Sequence, residues 1–205
     1  MRRSVARPRS PGWLSSRPCL SHRPMLRWSA CPPATRTLRR WLAAAGSLTA
    51  HLKRTSHRFA VEVRRQSGPV GARSPMLALR QGRPLRHLRE VALHADGLPL
   101  VYACSGVESS ARRGPWRALR GLGTRPLAEL LFGDGRIRRA SMQWCKLPAA
   151  HPLGRRADRA GVRGRGPRWA RRSVFRQRAS RLALMEVFSP SVAERRPLPP
   201  PARRR

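Results

Sequence analysis

The sequence predicts an α+β domain built on an antiparallel sheet of about six strands, with short helices packed on it. Three observations carry that expectation. Several short segments alternate apolar and polar residues with the period of two that a half-buried strand shows. One Asp-Gly pair, Asp96-Gly97, separates two such segments, and a glycine there supplies the positive φ that a tight hairpin turn needs. The helix start and stop signals bracket only short helices, and most strands follow one another directly, which favours hairpins over parallel βαβ units.

In chain order, residues 1–36 form a basic Pro/Arg/Ser-rich leader without hydrophobic period and are expected to be disordered. Residues 37–45, TLRRWLAAA, read as a helix that Gly46 stops. Ser47 then caps a second helix, SLTAHLKR, by accepting a hydrogen bond from an orphan backbone N–H. Further on, Phe59, Val61 and Val63 alternate with Ala60, Glu62 and Arg64, as in a strand. Residues 86–94 and 100–107 are the two arms of the Asp96-Gly97 hairpin. Thr124 is positioned to cap a short helix with Pro126 in its first turn and Gly133 beyond its end. Strands resume over 140–148, 173–178 and 181–190, while the Gly/Arg-rich stretch 151–167 stays unassigned. A Pro/Arg tail, 193–205, is also expected to be disordered, which leaves one folded domain over 37–192.

A chain of 205 residues suits one domain with a real core. Its 45 Lys+Arg against 9 Asp+Glu give a formal net charge of +36, a value associated with proteins that neutralise nucleic-acid phosphates or lie on anionic membranes. Nearly all of that charge is arginine scattered through apolar stretches, and aromatic interleaving is thin, with one Tyr and four Phe. Nucleic acid is therefore a partner only through non-specific charge, and a basic nucleic-acid-binding protein is the competing reading. No stretch reaches the roughly 18 consecutive apolar residues of a membrane-spanning helix. Cys19, Cys31, Cys104 and Cys145 lie far apart without metal-ligand or disulfide spacing, which points to a reducing cytoplasm and no metal site. The leader is Arg- and Ser-rich and has no acid before Glu62, like an organelle transit peptide, yet its prolines break any amphipathic helix.

Among so few acids, one in an apolar strand stands out. In RLALMEVF, Leu182, Leu184, Glu186 and Phe188 share one face, and Ala183, Met185 and Val187 share the other. Glu186 therefore points where its neighbours are buried, either as a catalytic or ligand-binding carboxylate or as the partner of an arginine at the sheet edge. Arg89 shares a face with Val91 and Leu93. A buried guanidinium seeks a planar carboxylate, and that group comes either from the protein or from an anionic ligand held bidentately.

Five segments in order then resemble the chorismate lyase family. They are Trp41-Leu42 with Gly46-Ser47-Leu48-Thr49, the hairpin LREVALHADGLPLV, Leu122-Gly123-Thr124-Arg125-Pro126-Leu127 running to Phe132, Trp169-Ala170-Arg171-Arg172-Ser173, and Leu184-Met185-Glu186-Val187-Phe188-Ser189-Pro190. The resemblance implies a monomeric α+β fold whose antiparallel sheet and helical flaps enclose an internal ligand pocket, with no cofactor. It implies chorismate as substrate and 4-hydroxybenzoate and pyruvate as products, at the first committed step of ubiquinone biosynthesis. It also implies that Arg89 binds the aromatic carboxylate, that Glu186 meets the ring-hydroxyl end as a catalytic group, and that Leu48 and Leu127 flank the ligand with backbone groups. Cys104 departs from the pattern, because relatives often have an arginine there that would serve a second carboxylate. Arg171, Arg172 or another arginine is then the replacement to look for, and a lyase-like chain without activity is a further alternative.

Overall fold

The computed structural model describes residues 26–31, 36–44, 46–67, 85, 87–107, 114–148, 150–165 and 168–196. Two short helices, α1 (Arg36–Leu42) and α2 (Leu48–Arg54), precede three strands, β1 (Phe59–Ser67), β2 (His87–Ala95) and β3 (Leu98–Val107). A 3-10 turn at Arg117–Gly121 leads into α3 (Leu127–Gly133), followed by β4 (Arg138–Leu147) and α4 (Pro152–Arg159). The strands β5 (Arg168–Gln177) and β6 (Ser180–Phe188) and a 3-10 turn at Pro190–Glu194 complete the order.

The strands form one antiparallel six-stranded sheet in the order β1-β2-β3-β6-β5-β4. This bears out the α+β class and the six strands. The hairpin turn between β2 and β3 has φ of 52° at Asp96 and 79° at Gly97, both positive, as the twist-compatible two-residue turn demands. The alternation read in β6 sorts its residues onto two hydrophobic layers. Leu182, Leu184 and Phe188 join the layer under α1, α2 and α3, and Ala183, Met185 and Val187 join the one under α4. Both faces of the sheet are thus covered, and each fully buried Leu or Phe contributes roughly 1.5–3 kcal/mol.

Ser47 caps α2 as expected, accepting from the Ala50 N–H at 3.1 Å. Three local expectations are corrected. The first helix ends at Leu42, short of residue 45, and the end carbonyl of Leu42, which has no partner within the helix, accepts from Trp144 Nε1 at 2.8 Å and from Arg171 Nη1 at 3.1 Å. Thr124 caps nothing. The helix starts at Leu127 behind an extended Pro126, since the residue before a proline is steered away from helical geometry. Gly133 closes that helix and does not lie beyond it. The unassigned stretch holds α4, with Pro152 in its first turn and the His151 side chain accepting from Leu153 N–H at 3.2 Å.

Within the span read as a leader, Ser29 and Trp144 exchange backbone hydrogen bonds of 2.8 and 3.0 Å. The Trp28 ring lies under the Arg172 guanidinium at 4.6 Å. Residues 1–25 and 197–205 lie outside the described residues. No helix among the described residues is long and apolar enough to cross a membrane.

Candidate active site

The sheet face under α2 and α3 holds a cavity, and all four residues singled out in the sequence line it: Leu48, Arg89, Leu127 and Glu186. Leu48 opens α2 and Leu127 opens α3, so each carries a first-turn N–H that has no acceptor within its own helix. Arg139 and Arg171 also reach the cavity wall.

Glu186 sits on the interior strand β6, 4% exposed, directly opposite Arg171 of β5. Arg171, 1% exposed, grips it bidentately through Nε–Oε2 at 2.6 Å and Nη2–Oε1 at 2.9 Å. The arginine-partner reading of Glu186 holds, on an interior strand and not at the sheet edge. The pair forms part of a cavity wall. The remaining nitrogen of Arg171 donates to the carbonyls of Trp41, Leu42 and Ala44, and its guanidinium lies 5.5 Å from the Phe188 ring centroid.

Arg89 is different. It is 2% exposed, and one of its terminal nitrogens donates to Gly123 O at 2.8 Å and Arg125 O at 3.1 Å, in the loop before α3. No carboxylate among the described residues lies within ion-pairing distance, and its Nε has no hydrogen-bond partner. Burial alone pulls its pKa below the usual arginine value. A guanidinium held in a cavity with a donor unmatched is the requirement for binding an anionic ligand. Of the two sequence readings for Arg89, the protein-carboxylate partner is therefore excluded among the described residues.

The family model for chorismate lyase matches residues 29–196. The chain belongs to the chorismate lyase family. A probable chorismate pyruvate-lyase of Azoarcus sp. (strain BH72) is 44% identical over 80% of this chain and 91% of that protein. The protein of that name from Methylobacillus flagellatus is 40% identical over 81% of this chain and 94% of its own length. Among solved structures, the effector domain of PhnF from Mycobacterium smegmatis covers 71% of this chain and 90% of that one, with 19% identity and a TM-score of 0.48.

In this chorismate lyase family member, Cys104 lies on the opposite side of the sheet from the cavity. It is fully buried in the layer under α4, and burial, followed by the nearby Glu90, pushes its thiol pKa well up. Its cross-strand partner is Glu90, which accepts from Tyr102 Oη at 2.6 Å and from Arg156 Nη1 of α4 at 2.6 Å. The expectation that a cation lost at position 104 would be missed in the pocket is corrected by strand parity: a side chain there points away from the cavity. Arg156 supplies the guanidinium that Glu90 needs. Arg172 also points outward, donating through Nε to Gln143 at 2.6 Å, whereas Arg171 faces the cavity.

Sequence reasoning found Arg89 and Glu186 and named Arg171 only as a substitute cation. It missed Arg139 altogether. The register that puts Arg171 opposite Glu186 is a long-range pairing that no local pattern reports.

Proposed function

We propose that this chain is a chorismate lyase that eliminates pyruvate from chorismate and leaves 4-hydroxybenzoate, in the cytoplasm and as a monomer, feeding ubiquinone biosynthesis. The observation that carries the reading is the buried Arg89, with no carboxylate partner among the described residues, in one cavity with Glu186. Chorismate offers two carboxylates, a C4 hydroxyl and an enolpyruvyl ether at C3. In the reaction the C3–O bond breaks, the C4 proton leaves, and the enolpyruvyl group ends as pyruvate with a proton added at its methylene carbon. The ring becomes aromatic, so the step is strongly downhill, and the protein supplies mainly orientation in a dry site.

Arg89 receives the ring carboxylate in this reading. The first-turn N–H groups of Leu48 and Leu127 flank the ligand, and Glu186 holds the C4 hydroxyl and assists departure of the C4 proton. Arg171 keeps the Glu186 carboxylate aimed by its bidentate grip. A transfer of the C4 proton straight to the methylene carbon would need no base, and Glu186→Gln separates the two routes.

The test is incubation of the purified chain with chorismate, with 4-hydroxybenzoate followed by chromatography and Arg89→Ala as control. Product that disappears in the control supports the reading. A cooperatively folded chain that forms no 4-hydroxybenzoate overturns it.

A further inference from the structure

We infer that Arg139 is a second carboxylate-recognition residue of the cavity, receiving the enolpyruvyl carboxylate while Arg89 receives the ring carboxylate; this deepens, and rests on, the chorismate reading. Arg139 stands near the start of β4, opposite Phe175 of β5, and its side chain reaches the cavity. The guanidinium carbon lies 5.4 Å from the Phe132 ring centroid on α3 and 5.1 Å from that of Phe175. These two rings are nearly perpendicular, at 89° and 6.2 Å apart. Rings attract a guanidinium through its flat faces, which directs its N–H edge toward acceptors in its own plane. One such acceptor is Gly46 O at 3.3 Å, in the loop that leads to α2 and Leu48.

Charge supports the assignment. The charged groups on the cavity wall are Arg89, Arg139, Arg171 and Glu186, three cations and one anion, which matches a ligand with two negative charges. Arg171 commits its nitrogens to Glu186 and to the carbonyls of Trp41, Leu42 and Ala44. Arg139 also donates to Met142 Sδ and Gly46 O, and with Arg89 it is the other cation on the cavity wall, so the two ligand carboxylates are assigned to this pair.

Position decides which carboxylate goes where. Arg139 stands on β4 beside β5, the strand whose Arg171 grips Glu186, whereas Arg89 stands on β2, separated from the Glu186 strand by β3; the charges of Arg171 and Glu186 also act on Arg139, after the larger effect of its burial. Arg139 thus belongs to the Glu186 end of the cavity and Arg89 to the other. On the chorismate ring, C1 and C4 are opposite, and C3 adjoins C4. With Glu186 at the C4 hydroxyl and Arg89 at the C1 carboxylate, the cation beside Glu186 faces the C3 substituent. A positive group there also stabilises charge that develops on the departing enolpyruvyl fragment.

The experiment compares wild type, Arg139→Met and Arg139→Lys with two ligands, and uses Arg89→Ala as reference. Steady-state turnover and direct titration report on chorismate, a dianion. Quenching of tryptophan fluorescence reports on 4-hydroxybenzoate, which carries one carboxylate. Arg139→Met keeps an apolar stem between the two rings and is expected to lower kcat/KM for chorismate by about tenfold to a hundredfold, the range of one charge-assisted pair. Its Kd for 4-hydroxybenzoate should move less than about twofold, since the product lacks the group that Arg139 receives. Arg139→Lys should recover part of the chorismate loss, and Arg89→Ala should weaken both ligands. Equal losses for both ligands in Arg139→Met, or unchanged chorismate kinetics, overturn the assignment. Should wild type form no product, the lyase reading falls, and the paired titrations still decide which carboxylate Arg139 holds.

Discussion

On the face of the sheet under α4, Glu90 accepts hydrogen bonds from Tyr102 and Arg156; on the cavity face, Glu186 accepts two from Arg171. Both sites bury a carboxylate against a guanidinium. The difference lies in what surrounds each pair. Trp41, His87, Arg89, Trp116 and Ser173 each keep a buried polar atom without a partner, and all five belong to the cavity-side layer. Each such atom costs about 1–3 kcal/mol, and among the described residues this unmatched polarity gathers on the cavity side of the sheet and not around Glu90. A buried ion pair by itself therefore does not distinguish the two faces; the buried cation beside it with an unmatched Nε, Arg89, does.

The comparison can be broken most severely at Arg171. Arg171→Met removes one partner of a buried pair and should cost about 3–5 kcal/mol in urea unfolding; an unchanged midpoint would mean that Glu186 is relieved by solvent. Next in size is Tyr102→Phe, which removes a hydrogen bond to a charged acceptor and should cost about 1.5–3 kcal/mol. Its turnover per folded molecule should stay within about twofold of wild type, and a tenfold fall would show that the two faces are coupled. Arg89→Met should change the unfolding free energy by only about 1 kcal/mol, since no carboxylate among the described residues loses its partner. A loss on the scale of Arg171→Met would reveal an acid paired with it. The smallest effect concerns pH. Burial, then Arg120 and Arg89, holds the pKa of His87 below 6.5, so the unfolded chain binds the proton more readily than the folded one. Stability should therefore decline as pH falls below about 6.5, with a shallower slope in His87→Leu; equal slopes would discount His87.

Much of this was legible locally. Strict alternation in β6 gave the correct face to every residue from Leu182 to Phe188, and the same parity set Arg89 beside Val91 and Leu93. Ser47 and Asp96-Gly97 worked because caps and tight turns depend on a few adjacent residues. Strand β5 was recognised only from Ser173, although it begins at Arg168, because arginines at 168, 171 and 172 mask the alternation. Helix α4 was unreadable for a similar reason: Leu153 and Ala157 are its main buried side chains, set among arginines. Arg139 stayed hidden because one arginine among 45 basic residues carries no local sign of where it points. Cys104 was misjudged because a departure from a family pattern was weighed before its strand face.

The strand order has a consequence for how the molecule is made. Strand β3 ends at Val107, yet its second neighbour in the sheet is β6, with Val101 paired to Phe188. During synthesis the β2–β3 hairpin emerges early and presents a long, apolar, unpaired edge until almost the whole domain has left the ribosome. Such late, distant pairing slows folding and exposes a sticky intermediate. Expression yield should therefore respond more to conditions that protect nascent chains than to substitutions that raise the stability of the finished fold.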